Sequence, residues 1–251
     1  MPFTVSHVAA VLPLRRGRLV PSALVVGAMA PDVPLFAPVS DRPATHRARA
    51  ILTVDLLFGV VLLGVFHAVK RPLVALLPRW VRARVGKPMR GFRMRGIDDA
   101  FWTLVSLALG SATHVVWDAF THEDGKVVLE FPLLERPVLG MPFYRWAQAG
   151  SGVFGLVVLG LWSARWLEHA PAGAPVPGVP TRVRVSLGGL VLASATAAAL
   201  HGAFVREPKT FFTRIPHAVA GAMSAAFCCV LLYAVLWWAR PTDVSRLRRR
   251  W

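Results

Sequence analysis

The sequence FWTLVSLALGSATHVVWDAFTHEDG runs from Phe101 to Gly125. Its apolar part is long enough to cross a bilayer as a helix, which takes roughly 20 residues. His114, Asp118 and His122 follow one another at intervals of four and therefore share one helix face. Ionisable side chains are costly inside a membrane and are usually functional there. The stretch predicts a membrane-spanning helix with one polar, functional face.

The composition of the whole chain agrees with a membrane protein. Of 251 residues, 55% are hydrophobic and only 17% are charged, and the mean hydropathy is +0.52. These values are typical of a polytopic integral membrane protein and exclude an ordinary soluble domain. The net charge of +16 does not indicate nucleic acid as a partner. The basic residues cluster between apolar runs, and no basic helix carries base-stacking aromatics.

Apolar runs of two lengths predict the architecture, an all-α helical bundle in the lipid bilayer. A short N-terminal helical hairpin is expected from Phe3–Leu14 and Pro21–Met29, because each run is shorter than the roughly 20 residues of a spanning helix. About five longer spans follow. We expect them at Ile51–Val69, Phe101–Phe120, Gly152–Leu167, Val183–Val205 and Ala218–Ala239.

The distribution of charge predicts the topology. Lys70–Gly96 holds nine Lys or Arg and no acidic residue, so we place it in the cytoplasm together with the basic tail at 240–251. Asp118 and His122 then face the outer side. The bias towards Ala, Arg, Gly, Pro and Val suggests a GC-rich bacterial genome, and hence the bacterial cytoplasmic (inner) membrane. We expect one integral membrane domain over 1–251, with the site in 1–150, further helices in 151–251, and a Pro/Gly/Ala linker at 171–180.

The N-terminal hairpin can bring two more polar residues together. At 1.5 Å per residue, His7 lies about 12 Å up one arm and Asp32 about 16 Å up the other, so the two reach similar depths. Pro31 and Pro34 break the second arm and leave Asp32 at a helix end.

Imidazole and carboxylate side chains together suit zinc or another first-row divalent ion, which lowers the pKa of bound water. One or two ions could be held, with Asp118 between them, and Asp118 or Asp32 would serve as the catalytic base. The candidate metal ligands are His7, Asp32, His46, His114, Asp118 and His122.

Several motifs, in order, resemble one known family. They are MPFTVSHVAAVLPL (1–14), SALVVGAMAPDVP (22–34), the Thr-His of THRAR (45–49), SATHVVWDAFTHEDG (111–125) and FYRWAQAGSGVFG (143–155). This series is similar to the bacterial membrane-protein family of unknown function numbered 4184.

A more distant resemblance implies a chemistry. The order His, Pro-Asp, His, His-x-x-x-Asp resembles the bacterial inner-membrane metal-dependent hydrolases and, more loosely, the all-helical zinc phospholipase C proteins. This resemblance implies a ligand role for His7, Asp32, His46, His114 and Asp118. The chain departs from the hydrolase pattern at two places. Pro34 stands where a second Asp is usual, and the glycine expected shortly after His46 is absent.

Two classes of function fit these residues. The first is a metal-dependent hydrolase of an ester or phosphoester, with a lipid or envelope component as substrate, at the outer face of the membrane. The second is a non-enzymatic membrane protein whose His/Asp cluster fastens helices or holds a structural metal. Each ligand candidate also has a plain alternative, such as a turn residue for Asp32 or a polar loop residue for His46. His201 and His217 are interpreted as structural.

Overall fold

The computed structural model describes residues 4–36, 42–89, 94–204 and 211–239, and these are almost entirely helical. The short elements are 3₁₀ turns at Thr4–His7, Leu12–Leu14, Ala30–Leu35, Ala48–Leu52 and Pro132–Glu135, and helices α1 (Val8–Val11), α2 (Pro21–Gly27), α3 (Arg42–Thr45) and α7 (Lys126–Glu130). The longer helices are α4 (Val54–Leu76), α5 (Arg79–Met89), α6 (Ile97–Thr121), α8 (Phe143–His169), α9 (Thr181–Phe204) and α10 (Phe211–Ala239). One antiparallel hairpin, β1 (Pro137–Val138) and β2 (Met141–Pro142), separates α7 from α8.

Within the described ranges, five helices are long and apolar enough to cross a membrane, namely α4, α6, α8, α9 and α10. The prediction of an all-α polytopic membrane bundle is confirmed. Several helices extend beyond the apolar runs that predicted them. For example, α8 begins at Phe143 rather than near Gly152. Backbone hydrogen bonds continue a helix past the edge of the apolar run wherever the next residues tolerate helical geometry.

The basic segment Lys70–Gly96, expected as a connection between spans, is largely helical where it is described. Helix α4 continues to Leu76, and α5 follows after Pro78. Arg and Lys are good helix formers, and a proline at the start of a helix gives up no internal hydrogen bond. Residues 90–93, the basic tail at 240–251 and the end of the fourth predicted span at Val205 lie outside the described residues.

The N-terminal hairpin has the predicted arms, but much of it is 3₁₀ rather than α-helical. Helix α2 packs on α6, and the apolar core around this contact contains Val8, Val11, Leu24 and Ala28. Beyond α2, the prolines of the Ala30–Leu35 turn prevent α-helical hydrogen bonding, as expected. The turn holds Asp32 buried at its centre.

The chain divides into two compact units. Unit 1 contains Met1–Gly64 and Met94–Trp166, and unit 2 contains Val65–Arg93 and Leu167–Trp251. Every predicted ligand lies in unit 1. In unit 2, α9 packs on α10, and a core of Ala75, Val179, Tyr233 and Trp237 includes one residue of the predicted linker at 171–180. The single membrane domain over 1–251 stays a prediction.

Candidate metal centre

Four ligand-type side chains converge in unit 1. Asp32 comes from the 3₁₀ turn after α2, His46 directly follows α3, and His114 and Asp118 lie one turn apart on α6. One ligand atom from each lies within 4.8 Å of all the others. The four side chains are at most 8% exposed. A cluster of this kind is compatible with binding a metal ion.

The distances within the cluster agree with ligands that surround one ion. His46 Nε2 lies 3.2 Å from Asp118 Oδ2, and His114 Nε2 lies 3.5 Å from the same oxygen. Asp32 Oδ1 is 3.5 Å from His114 Nε2 and 3.7 Å from His46 Nε2. Ligand atoms at 2.0–2.2 Å from a tetrahedral zinc ion are separated by roughly 3.3–3.6 Å. Most of these contacts are longer than an ordinary hydrogen bond and close to this spacing.

The tautomer of His114 fits metal binding. Its Nδ1 lies 2.7 Å from the carbonyl oxygen of Ala28, which can only accept, so Nδ1 donates the proton. In the neutral ring that a metal ion requires, Nε2 carries the lone pair, and it faces the two carboxylates. Nε2 is buried and makes no hydrogen bond within the described part of the chain. An imidazole fixed in this way through its other nitrogen is the usual arrangement of a metal-ligating histidine.

The close approach of two helices makes the Ala28 contact possible. A Cβ atom on Gly27 would overlap the backbone of Leu107, and one on Gly110 would overlap the backbone of Leu24. Because neither glycine has a side chain, α2 and α6 approach almost backbone to backbone. The carbonyl group at the end of α2 therefore reaches the side chain of His114.

Hydroxyl groups support two further ligands. The Thr4 hydroxyl donates to Asp32 Oδ2 at 2.6 Å, which leaves Oδ1 facing the imidazoles. Burial alone would raise the pKa of Asp32, but the facing His114 and the Thr4 hydroxyl outweigh it and lower this pKa to about 2. The Thr45 hydroxyl contacts Nδ1 of His46 at 2.9 Å. Both contacts are of the kind that orients metal ligands.

His7 lies on the other side of Asp118. Its Nε2 is 3.4 Å from Asp118 Oδ1, and its ring stacks on that of His114 with centroids 3.8 Å apart. Burial, followed by the neighbouring His114, lowers the pKa of His7 to about 4, so the ring is neutral at pH 7. The two oxygens of Asp118 thus face different imidazoles. His7 is not one of the four most tightly grouped residues.

His122 occupies the more exposed edge of the cluster, with 14% of its side chain exposed. Its Nδ1 lies 3.2 Å from Asp118 Oδ2, and its Nε2 lies 2.8 Å from the side-chain amide nitrogen of Gln148. When that amide donates to Nε2, Nδ1 carries a proton and donates to Asp118. Rotation of the amide reverses both roles and gives Nδ1 a lone pair. The metal-ligand role of His122 stays a prediction.

Two residues near the cluster were not singled out by the sequence reasoning. Gln148, on α8, contacts His122. Asp55, on α4, is fully buried, accepts a hydrogen bond from Ser111 at 2.9 Å and interacts electrostatically with His46 and His114. An acid inside an apolar run was a usable signal for Asp55. No pattern within the sequence connects Gln148 to His122.

Comparison with known proteins places the sequence beside one family. The family model described as "Domain of unknown function (DUF4184)" matches residues 1–235. No curated protein matches the chain, and no solved structure matches it.

Proposed function

The chain belongs to the DUF4184 family, and we propose that it is a membrane-embedded hydrolase that uses zinc to cleave an ester or phosphoester. The convergence of two imidazole nitrogens and two carboxylate oxygens carries this proposal. A nitrogen and oxygen donor set of this kind suits zinc. The contact between His114 and Ala28 supports it further, because it occupies Nδ1 and leaves Nε2, which faces both carboxylates, as the nitrogen that would bind the ion.

Some residues of the cluster would bind the ion directly, and others would position those ligands. Asp32, His46, His114 and Asp118 would hold it. When bound, a divalent ion polarises a substrate carbonyl or phosphoryl oxygen and makes water a better nucleophile near neutral pH. Asp118 or Asp32 would accept the proton of the attacking water. His7, neutral and next to Asp118 Oδ1, would hold that carboxylate in place, as would His122 from the opposite side.

The location follows from the charge distribution. The basic segment Lys70–Gly96 would lie in the cytoplasm, which puts the C-terminal end of α6 and the edge formed by His122 at the outer face of the bacterial inner membrane. A lipid or envelope component with an ester or phosphoester bond would be the substrate there.

The burial of the cluster favours a second candidate, a structural metal site in a non-enzymatic membrane protein. The side chains of Asp32, His46, His114 and Asp118 are at most 8% exposed. A catalytic zinc keeps a position open to water and substrate, whereas a structural zinc is closed by protein ligands. The two candidates therefore agree on metal binding and differ in hydrolysis.

One experiment separates these possibilities. Elemental mass spectrometry of the detergent-purified protein would compare the wild type with His114→Gln, Asp118→Asn and the control His201→Gln, on exposed α9. We expect nearly stoichiometric zinc in the wild type and the control, and loss of zinc in both cluster variants with the fold retained. The wild type is then assayed with p-nitrophenyl esters and bis-p-nitrophenyl phosphate.

Each outcome has a distinct meaning. Zinc with chelator-sensitive hydrolysis supports the enzyme. Zinc without hydrolysis of any substrate tested favours the structural site. A wild type that stays metal-free after reconstitution with zinc would rule out both metal proposals.

A further inference from the structure

The connection between α6 and α8 exposes several large apolar side chains. These two helices are candidate membrane spans, so both ends of the connection are fixed at one surface of the bilayer. The segment from Pro137 to Phe143 contains no charged residue. The exposed apolar residues are Leu129, Phe131, Leu133, Val138 and Leu139, followed by Phe143 and Trp146 at the start of α8.

The tip of the β1–β2 hairpin combines two energetically unfavourable features, an exposed leucine side chain and a positive φ. Leu139 is 88% exposed. It also has a φ of 50°, the only positive φ among non-glycine residues in the described part of the chain, and Gly140 follows with a φ of 81°. Positive φ is unfavourable for a leucine, and full exposure to water is unfavourable as well. Such an outlier is commonly retained where it serves a function.

The hairpin is held in a defined position. Val138 pairs with Met141 across the two strands. The indole of Trp146 donates to the Val138 carbonyl at 2.8 Å, and the Phe143 amide donates to the Arg136 carbonyl at 3.0 Å. These bonds tie the hairpin to the first turns of α8. The projection of Leu139 is therefore built into the fold and does not reflect a frayed loop.

We propose that this hairpin inserts into the lipid leaflet at the C-terminal end of α6, with Leu139 as its deepest residue. Membrane lipid is the partner, because the adjoining spans hold the hairpin at the bilayer surface. The flanking aromatic residues Phe143 and Trp146 have the chemistry of the interfacial zone, where one side of a ring is apolar and the other is hydrated. Insertion removes the exposed leucine from water, and the free energy gained in this way offsets the cost of its backbone conformation.

The hairpin is close in sequence to the candidate site. Gln148, which contacts His122, lies about 8 Å along α8 from Phe143, at 1.5 Å per residue. An inserted hairpin would hold the exposed edge of the cluster at the level of the lipid headgroups. This last step rests on the proposed function. It implies a substrate that is itself a membrane lipid or is carried on one.

Spin-label depth measurements test the insertion. The protein, with Cys228 and Cys229 replaced by Ala, would carry a nitroxide at Leu139→Cys or, as a control, at Lys126→Cys in nanodiscs of phosphatidylglycerol and phosphatidylethanolamine. Lys126 lies in α7 between the same two spans, and its side chain is 84% exposed. We expect the label at position 139 to collide more with oxygen than with a water-soluble nickel chelate, and the label at position 126 to show the reverse.

Equal access of the nickel chelate to both labels would overturn the proposal. That result would also be expected if the hairpin bound a protein partner, because the nanodiscs contain none. Thermal unfolding of both labelled variants checks that they are folded. The label depth does not depend on zinc content or hydrolysis. Failure of this inference is thus distinguishable from failure of the proposed function.

Discussion

His114 donates its Nδ1 proton to the carbonyl oxygen of Ala28 over 2.7 Å, although the two residues are 86 positions apart. The contact joins the end of α2 to the middle of α6. It fixes the ring of His114 with Nε2 aimed at Asp32 and Asp118. The packing of two helices thereby determines the chemistry of a ligand, and changes in that packing should be measurable as changes in metal binding.

Gly110→Ala should weaken both the fold and the site, because the added methyl group would overlap the backbone of Leu24. Overpacking of this kind usually costs about 1–3 kcal/mol. We expect a lower unfolding temperature in detergent and lower zinc content. The matched control is Gly150→Ala on α8, where the added methyl meets no atom within 4 Å. Equal stability of the two variants would contradict the close α2–α6 packing.

Thr4→Val should reduce metal affinity with little change in stability. The substitution keeps the shape of the side chain but removes the hydroxyl that donates to Asp32 Oδ2 at 2.6 Å. Loss of a supporting hydrogen bond to a ligand typically lowers metal affinity about 10- to 100-fold. Competition with a zinc chelator measures this. Thr53→Val, which removes an exposed hydroxyl bonded to Arg49, should leave the affinity unchanged.

Asp55→Asn tests whether the buried Asp55 carboxylate, which the sequence did not single out, contributes to metal binding. The amide retains a group that can accept from Ser111 but removes the negative charge near His46 and His114. We expect zinc affinity to fall about tenfold, because surrounding negative charge favours a bound cation. The same chelator competition applies. Asp98→Asn, an exposed acid in the first turn of α6, serves as the control. An unchanged affinity in Asp55→Asn would make this residue purely structural.

In the metal-free protein, protonation of His7 should lower the stability as the pH falls from about 6.5 to 4. The pKa of His7 is about 4 in the fold, compared with 6.5 for an ordinary histidine, so protonation favours the unfolded chain over this interval. The loss is at most about 3 kcal/mol. The pKa of Asp32, lowered from 3.8 to about 2, adds a further loss only below pH 3.8. Thermal unfolding across both pH intervals measures the two effects.

The variant His7→Asn lacks the imidazole that makes this contribution. Between pH 6.5 and 5, the unfolding temperature of the wild type should therefore fall relative to that of the variant. Parallel curves for the two proteins would show that His7 does not cause the acid sensitivity.

Part of the fold and of the site could be predicted because it depends on local regularities. Helical periodicity places His114 and Asp118 on one face wherever that helix lies, and run length alone identifies the five candidate spans. The prolines around Asp32 act on their own backbone and produce the turn that was expected. His7 and Asp32, which residue counting from the Arg turn expected at similar depths, both contact the polar face of α6.

Other features depend on contacts between distant elements. Gln148 meets His122 only because α8 packs beside the end of α6, and Thr4 reaches Asp32 only when both arms of the hairpin are folded. The helical form of residues 70–76 and 79–89 was missed because the charge pattern of this segment reports topology and not backbone conformation.

The sequence by itself determined the membrane class, the helical spans and the polar face of α6, since hydrophobic length and helical period are properties of neighbouring residues. Only the tertiary structure decided which atoms converge. The Ala28 carbonyl, a backbone group that no side-chain pattern encodes, was brought to His114 by the close crossing of two helices at Gly27 and Gly110. The direction of a ligand's lone pair is set by such long-range packing, because a side-chain hydrogen bond requires both partners to be in place.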